Sequence, residues 1–417
     1  MGLEASIAFL GDDVRRFSDL CNELSFRMWT SITGKGMISS RSLVLSPFAV
    51  TSMLAMVFLG ARGSTSGQMN DVLRLDDMVT FNPHQVLQNI TESVINSRNI
   101  GSSTAAFVRE LYSDKSKGKI LEFYKERAQQ YYDGHVEEVN FLQSVTSSLN
   151  LKPPMAAFAA NIFQTDCDLA STDGRDGEMY FVVRPSTRQR RLVPVPAAVW
   201  RSGFLAGYEP GLDATAVSIG SDSVVSTIFV LPGQQGQVAP GDGLARLEQR
   251  LIETSYRRGG WSRLLRSLLL RPGLEIQLPR FSHRSVLNVT SALQRMGLKD
   301  IFDSEKADLR GLNGYTNDLY LSDMVQVNTF STCGEDAAGA RHHDPEVYPI
   351  PDDLDHDIYS HLPLNLRPRQ ARLPDNPRLR FDRPFLYFVR HNPTGMILHV
   401  GRFNPRLCLS PIEISNY

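Results

Sequence analysis

Four cysteines in 417 residues, at positions 21, 167, 333 and 408, form no C-x-x-C pair. That spacing excludes a zinc knuckle and a disulfide-framework scaffold, and the four are expected as unpaired thiols. Charge of one sign is missing too, because 44 Lys and Arg against 45 Asp and Glu leave a net charge of -1. Nothing electrostatic then points to nucleic acid or an anionic membrane, and neither is expected as a partner. No basic region followed by an apolar stretch opens the chain, so no secretory signal peptide is read there. Met1-Gly2 with Ser6 meets the loose N-myristoylation pattern, which is short enough to arise by chance. The longest apolar run, residues 44–61, nears membrane-spanning length but contains Ser46, Pro47, Thr51 and Ser52. A strand running into a buried helix is therefore expected there. A nucleophile elbow, a P-loop and a dinucleotide fingerprint are all lacking, so no residues carry an enzyme reading and no cofactor is expected.

What is present is an ordinary globular composition, 42% hydrophobic and 21% charged, in a chain long enough to bury a sizeable core. Phe17, Leu20, Leu24 and Met28 recur at helical spacing over 13–33. A short strand ending at Pro47, a helix stopping at Gly60, and a helix with Ser64-x-x-Gly67 at its start follow. "STAAFVREL" reads as a strand, and residues 118–141 as a helix leading into another. From 180 to 231 alternating or apolar runs separated by Gly, Asp and Ser predict several strands. "GLARLEQRLIETSY" and "SVLNVTSALQRMGL" read as helices, "GLEIQLPRFS" as a strand, and 379–403 as a strand pair joined by "NPTG". Strands and helices mix without βαβ regularity, which argues for α+β.

Two sequons, at Asn89 and Asn288, place each Asn one residue before an apolar-stripe position, at the flank of a predicted helix where a glycan fits. Arg184, Arg188, Arg190 and Arg191 form a basic run between two strands, either a solvated turn or a polyanion site. His342, His343, Asp344, Asp352, Asp353, His356 and His361 could be read as metal ligands. They have no helical His-Glu spacing and several prolines among them, so a solvated polar insert is favoured and no metal site is expected.

Four segments carry a resemblance that spans nearly the whole chain in order. They are "SLVLSPFAVTSMLAMVFLGARGSTSGQM", "IQLPRFS" with "LQRMGLKDIFDSEKADLRGL", "LYLSDMVQV" and "FDRPFLYFVRHNPTGMILHVGRFNP". Together they resemble the serpin family. Their own chemistry is core packing and turns, so they certify a fold before any activity. The resemblance implies a single α+β domain over 1–417 with a large central mixed β-sheet, further sheets and surrounding helices. It also implies an inhibitor of serine endopeptidases, not an enzyme, acting as a monomer. Family habit points to the extracellular space, with an intracellular location as the alternative.

In that family an exposed loop offers a bait bond, and after cleavage it enters the main sheet as a new strand and distorts the attached protease. Insertion requires small uncharged residues in the hinge, because alternate side chains must enter the core. Gly334 begins the hinge here, and Ala337, Gly339, Arg341 and His343 would point inward. Burying an unpaired Arg or charged His costs several kcal/mol. Pro345 would remove a ladder hydrogen bond, so full insertion is expected to be impaired. Three departures agree with that expectation. The connection between "EEVNF" and "AAFAANIFQ" is too short for the helix that the family lays across the sheet. Cys167 stands where the family has a Trp, and Gln326 where it has a sheet-closing His, while Ser46 and Asn161 remain. The loop itself is elongated, and 341–380 is expected to be disordered. Counting back from Phe381 puts the scissile bond at Arg372-Leu373, within "RPRQARLP", where Arg372 would suit the acidic pocket of a trypsin-like protease. Arg369 with Arg372 also resembles a proprotein-convertase site. The alternative is a non-inhibitory serpin-fold binding or scaffold protein whose long loop engages a partner or is processed.

Overall fold

At Ser46 a strand hands over to a helix. β1 (Leu43–Leu45) ends there, the Ser46 hydroxyl accepts the Ala49 N–H at 3.2 Å, and Pro47 takes the first helical position. A missing donor costs nothing at that position and the fixed φ suits it. All twelve residues of the helix that follows, α2 (Pro47–Phe58), are buried, so its apolar run serves as the protein's central helix. Among the described residues no helix is long and apolar enough to cross a membrane. The first helix, α1 (Asp12–Thr33), turns Phe17, Leu24 and Met28 inward as its spacing predicts.

The computed structural model describes residues 11–34, 42–75, 82–97, 103–142, 149–165, 167–183, 191–234, 243–255, 258–314, 319–333 and 377–405. Its central sheet has five strands, in the order β12 (Ser282–Asn288), β13 (Leu321–Thr332), β4 (Met155–Thr165), β2 (Ser103–Asp114), β3 (His135–Val139). The β13–β4 and β2–β3 pairs are parallel and the other two antiparallel, so the sheet is mixed. A second sheet runs β1, β16 (Ile397–Phe403), β15 (Phe385–His391), β10 (Val225–Pro232), β9 (Ala214–Ile219), β8 (Phe204–Glu209). The third runs β14 (Arg378–Arg380), β11 (Glu275–Pro279), β7 (Arg191–Trp200), β5 (Ala170–Ser171), with β6 (Glu178–Val183) also paired to β7. Aromatic rings lock the three together. Phe330 of β13 stacks on Tyr387 of β15 at 4.2 Å, and Phe281, just after β11, stacks on Phe403 of β16 at 4.2 Å.

Several sequence expectations need correction. The helix after α2, α3 (Gly63–Leu73), begins two residues earlier than the Ser64 capping pattern implies, and Arg62 at its N-cap makes no side-chain cap. "FLAGYE" carries a β signal diluted by Ala and Gly, yet it forms β8. A Cβ at Gly207 would lie 1.9 Å from the Ser267 carbonyl oxygen, so this glycine allows a close backbone approach. Residues 285–288 were expected to open a helix but lie in β12, held by β13, and the helix starts at Thr290. The insert expected to be disordered extends to residue 380, but 378–380 form β14, parallel to β11.

The β3–β4 connection is described only in part, residues 143–148 lying outside the described residues. Its described residues, 140–142 and 149–154, contain no helix. Val108, Ala160, Val327 and Val286 lie side by side across four strands of the central sheet. Val108 is 43% exposed and Val286 62%, while Ala160 and Val327 are half-buried, so this apolar face is partly open to water.

Candidate functional site

The seam between β4 and β13 is where a loop strand would have to enter, and it is closed. The two strands pair in parallel from Leu321↔Met155 to Thr332↔Thr165, with a register shift between Leu321 and Asp323. A loop leaving β13 would have to break this ladder from the Thr332 end.

A buried polar cluster underlies the seam, and it contains all three residues expected to control sheet opening. The Gln326 Oε1 accepts the Ser46 N–H at 3.0 Å, and the Ser46 hydroxyl donates to the Leu398 carbonyl at 2.9 Å. The Asn161 amide donates to Asn328 Oδ1 at 2.9 Å, and the Asn328 amide donates to the Val44 carbonyl at 3.2 Å. Each strand of the seam is thus tied to its neighbour by an Asn–Asn bond, and β13 is tied down to the start of α2. The fit is incomplete: Gln326 Nε2 and Asn161 Oδ1 have no hydrogen-bond partner among the described residues. Each costs about 1–3 kcal/mol of desolvation, so the closed sheet is held less firmly than its ladder alone implies.

Sequence reasoning missed two members of this region. Asn328 lies two residues beyond Gln326 and so faces the same way, a parity that could have identified it. His399 of β16 lies fully buried beneath the sheet, against Phe107 (6.1 Å) and Phe163 (5.9 Å). Neither of its ring nitrogens has a partner among the described residues. Burial holds the ring neutral and pushes its pKa down to about 3. A deep position on a β-strand leaves no mark in the local pattern, so no sequence signal identifies it.

The cysteine expectation was wrong for one pair. Cys167 and Cys333 form a disulfide, with their Cα atoms 4.8 Å apart. Cys167 follows β4 by two residues and Cys333 follows β13 by one. Parallel strands that end together bring them side by side at the Thr332 end of the seam. They lie 166 positions apart in sequence, so spacing alone could not pair them. Cys21 is a free buried thiol, its pKa pushed up to about 12 by burial.

On the far side of the loop, β14 is clamped where the chain rejoins the fold. Arg378 donates to Glu275 at 2.7 and 2.9 Å and approaches Asp176 at 3.1 Å, while Arg201 bridges the same two carboxylates at 2.7 and 3.0 Å. The loop is therefore anchored at both ends, by the disulfide and by this ion network.

The remaining expected site residues fall as follows. Gly334, Ala337, Gly339, Arg341, His343, Arg369, Arg372 and Leu373 lie outside the described residues, as do the proposed metal-ligand histidines and Arg184, Arg188 and Arg190. Arg191 begins β7. Asn89 is exposed on α4 (Pro83–Asn96), at a helix flank as expected. Asn288 ends a strand instead, and its amide donates to Asp323 at 2.9 Å.

Comparison with known proteins agrees with this architecture. The chain is 26% identical over 389 residues to the leukocyte elastase inhibitor of Bos taurus, covering 87% of this chain and 93% of that protein. It is 24% identical over 399 residues to the ovalbumin-related protein Y of Gallus gallus, with the same two coverages. The fold matches uncleaved ovalbumin with a TM-score of 0.66 at 20% identity, over 95% of this chain and all of that one. It matches native protease nexin-1, solved with heparin, at 0.69 and 18% identity over 94% of this chain and all of that one. Residues 19–151 and 187–405 match the serpin (serine protease inhibitor) family. A central sheet with a buried polar cluster under its seam and a loop held at both ends is thus that of a family of inhibitors, not enzymes, and the chain belongs to the serpins.

Proposed function

We propose that this serpin offers the Arg372-Leu373 bond to trypsin-like serine endopeptidases and is cut chiefly as a competing substrate, the insertion that would trap the protease being held back. The observation that supports this most is the closed seam, a β4–β13 ladder unbroken from Asp323 to Thr332 with a disulfide across its open end. A released strand meets both obstacles before the burial of Arg341 and His343, expected to point inward once inserted, opposes it further. The specificity reading rests on Arg372, whose guanidinium suits an acidic pocket. A single domain over 1–417 with 341–376 as the reactive loop belongs to the same reading, as does a monomeric state. An extracellular location draws support from the disulfide, since such bonds persist in oxidising compartments. A polyanion site at Arg184, Arg188, Arg190 and Arg191 draws support from the basic run, and glycans at Asn89 and Asn288 from the sequons.

Incubation with trypsin, followed by denaturing electrophoresis and mass spectrometry, tests the proposal. The expected result is cleavage after Arg372 without an SDS-stable complex. An SDS-stable complex would show that insertion proceeds and overturn the held-back trap. If the loop is neither cut nor competes for the protease, the bait reading fails, leaving a serpin-fold binding or scaffold protein whose loop engages another partner.

A further inference from the structure

We propose that the Cys167–Cys333 disulfide is a redox modification site that locks the central sheet, so that a strand enters between β4 and β13 only after a thiol reductant has opened it. The inference rests on the reading that a loop strand enters this sheet. It adds a chemical condition for entry that the inhibitor reading does not contain.

The geometry carries the argument. Neighbouring strands lie about 4.8 Å apart, so an inserted strand would set β4 and β13 about 9.6 Å apart. A disulfide spans at most about 7 Å between Cα atoms. Cys167 and Cys333 stand at 4.8 Å, directly beyond the last ladder pair, Thr332↔Thr165. An entering strand must begin where β13 ends, and the chain already turns there, with Cys333 in the left-handed region at φ 65°. The bond therefore crosses the gap at the first point an entering strand would occupy. Entry and an intact bond exclude each other sterically, whatever the stability of the ladder below.

Access is unequal between the two sulfurs. Cys333 is buried, 6% exposed, while Cys167 is only partly buried. The reductant required is a dithiol. Its thiolate attacks the Cys167 sulfur, the S–S bond breaks, and its electron pair leaves on the Cys333 sulfur. The second thiolate of the reductant then resolves the mixed disulfide and displaces Cys167 as a thiolate. Two electrons and two protons reach the protein, giving two thiols, and the reductant becomes a disulfide. A bond that served only to stabilise the fold would shift global melting without controlling what enters the sheet.

The test uses the full chain and a synthetic 14-residue peptide copying residues 334–347, with Ala, Ala and Thr in place of Arg341, His343 and Pro345. Denaturing alkylation without reductant should label two of the four cysteines, and labelling of all four would overturn the proposal at once. With the peptide at about 100 Kd, the reduced protein should gain about 3 °C in Tm, and the oxidised protein nothing. The double variant Cys167→Ser/Cys333→Ser should gain the same amount without reductant, which separates the bond from side effects of the reductant. Equal gains in both redox states would overturn the proposal, and so would no gain in either. Protease inhibition is not read here. A chain that trypsin does not cut and that does not compete for trypsin, yet takes up the peptide only when reduced, would refute the bait reading and leave the lock standing.

Discussion

His399 should make this protein lose stability in mild acid, and replacing it should remove a definable share of that loss. The ring is fully buried between Phe107 and Phe163, and burial lowers its pKa to about 3 from the ordinary 6.5. Below pH 6.5 the unfolded chain takes up a proton on this ring while the folded chain does not, until about pH 3. The stability tied to the neutral ring is therefore complete above pH 6.5 and is lost as pH falls from there towards 3. At about 1.4 kcal/mol per pH unit, lowering the pH to 5 costs the folded state about 2 kcal/mol at this residue alone. His399→Met keeps a similar volume and removes the titration, so at pH 7.5 its stability should lie within about 1.5 kcal/mol of wild type. Urea unfolding of both proteins at pH 7.5 and pH 5 checks the arithmetic. The variant should gain about 2 kcal/mol on wild type between the two conditions. His84, His283 and His391, also pushed down to about 4 by burial, are common to both proteins and cancel in the difference. Parallel pH profiles for the two proteins would refute the reasoning.

A double-mutant cycle at Asn161 and Asn328 should return a coupling of about 1 kcal/mol in urea unfolding, since each single Ala change breaks the one bond between them; independent effects would count against the polar tie across the seam. Gly401→Ala should destabilise by about 2 kcal/mol or more, because its Cβ would lie 2.2 Å from the Tyr387 ring, and a wild-type melting temperature would contradict that contact. Glu275→Ala should cost about 1–2 kcal/mol by leaving Arg378 and Arg201 with Asp176 as their carboxylate, and should speed trypsin cleavage near β14; unchanged cleavage there would mean that the ion network does not anchor the loop. Replacing Arg341, His343 and Pro345 with Ala, Ala and Thr should raise the melting temperature of the cleaved protein once it is reduced; no rise would defeat the argument that these three residues oppose insertion.

The sequence by itself determined the fold class, the family and the buried helix of residues 47–58. Those signals are local: apolar periodicity, a Ser-Pro helix start, Gly at turns. It also singled out Ser46 and Gln326, which sit inside segments that carry the family resemblance, and Asn161, which lies outside those segments in "AAFAANIFQ". Edge strand β12 was misread as helix, since Val286, Leu287 and Val289 suit either period until β13 supplies a ladder. Strand β8 was hidden by Ala206 and Gly207, which are there to let another backbone come close. Tertiary structure alone decided three things: the pairing of Cys167 with Cys333, the burial of His399, and the bond from Asn161 to Asn328. Each depends on the parallel register of two strands far apart in the chain or on the depth of a strand beneath a sheet. Register and depth are set by the packing of the whole molecule, and no window of sequence holds them.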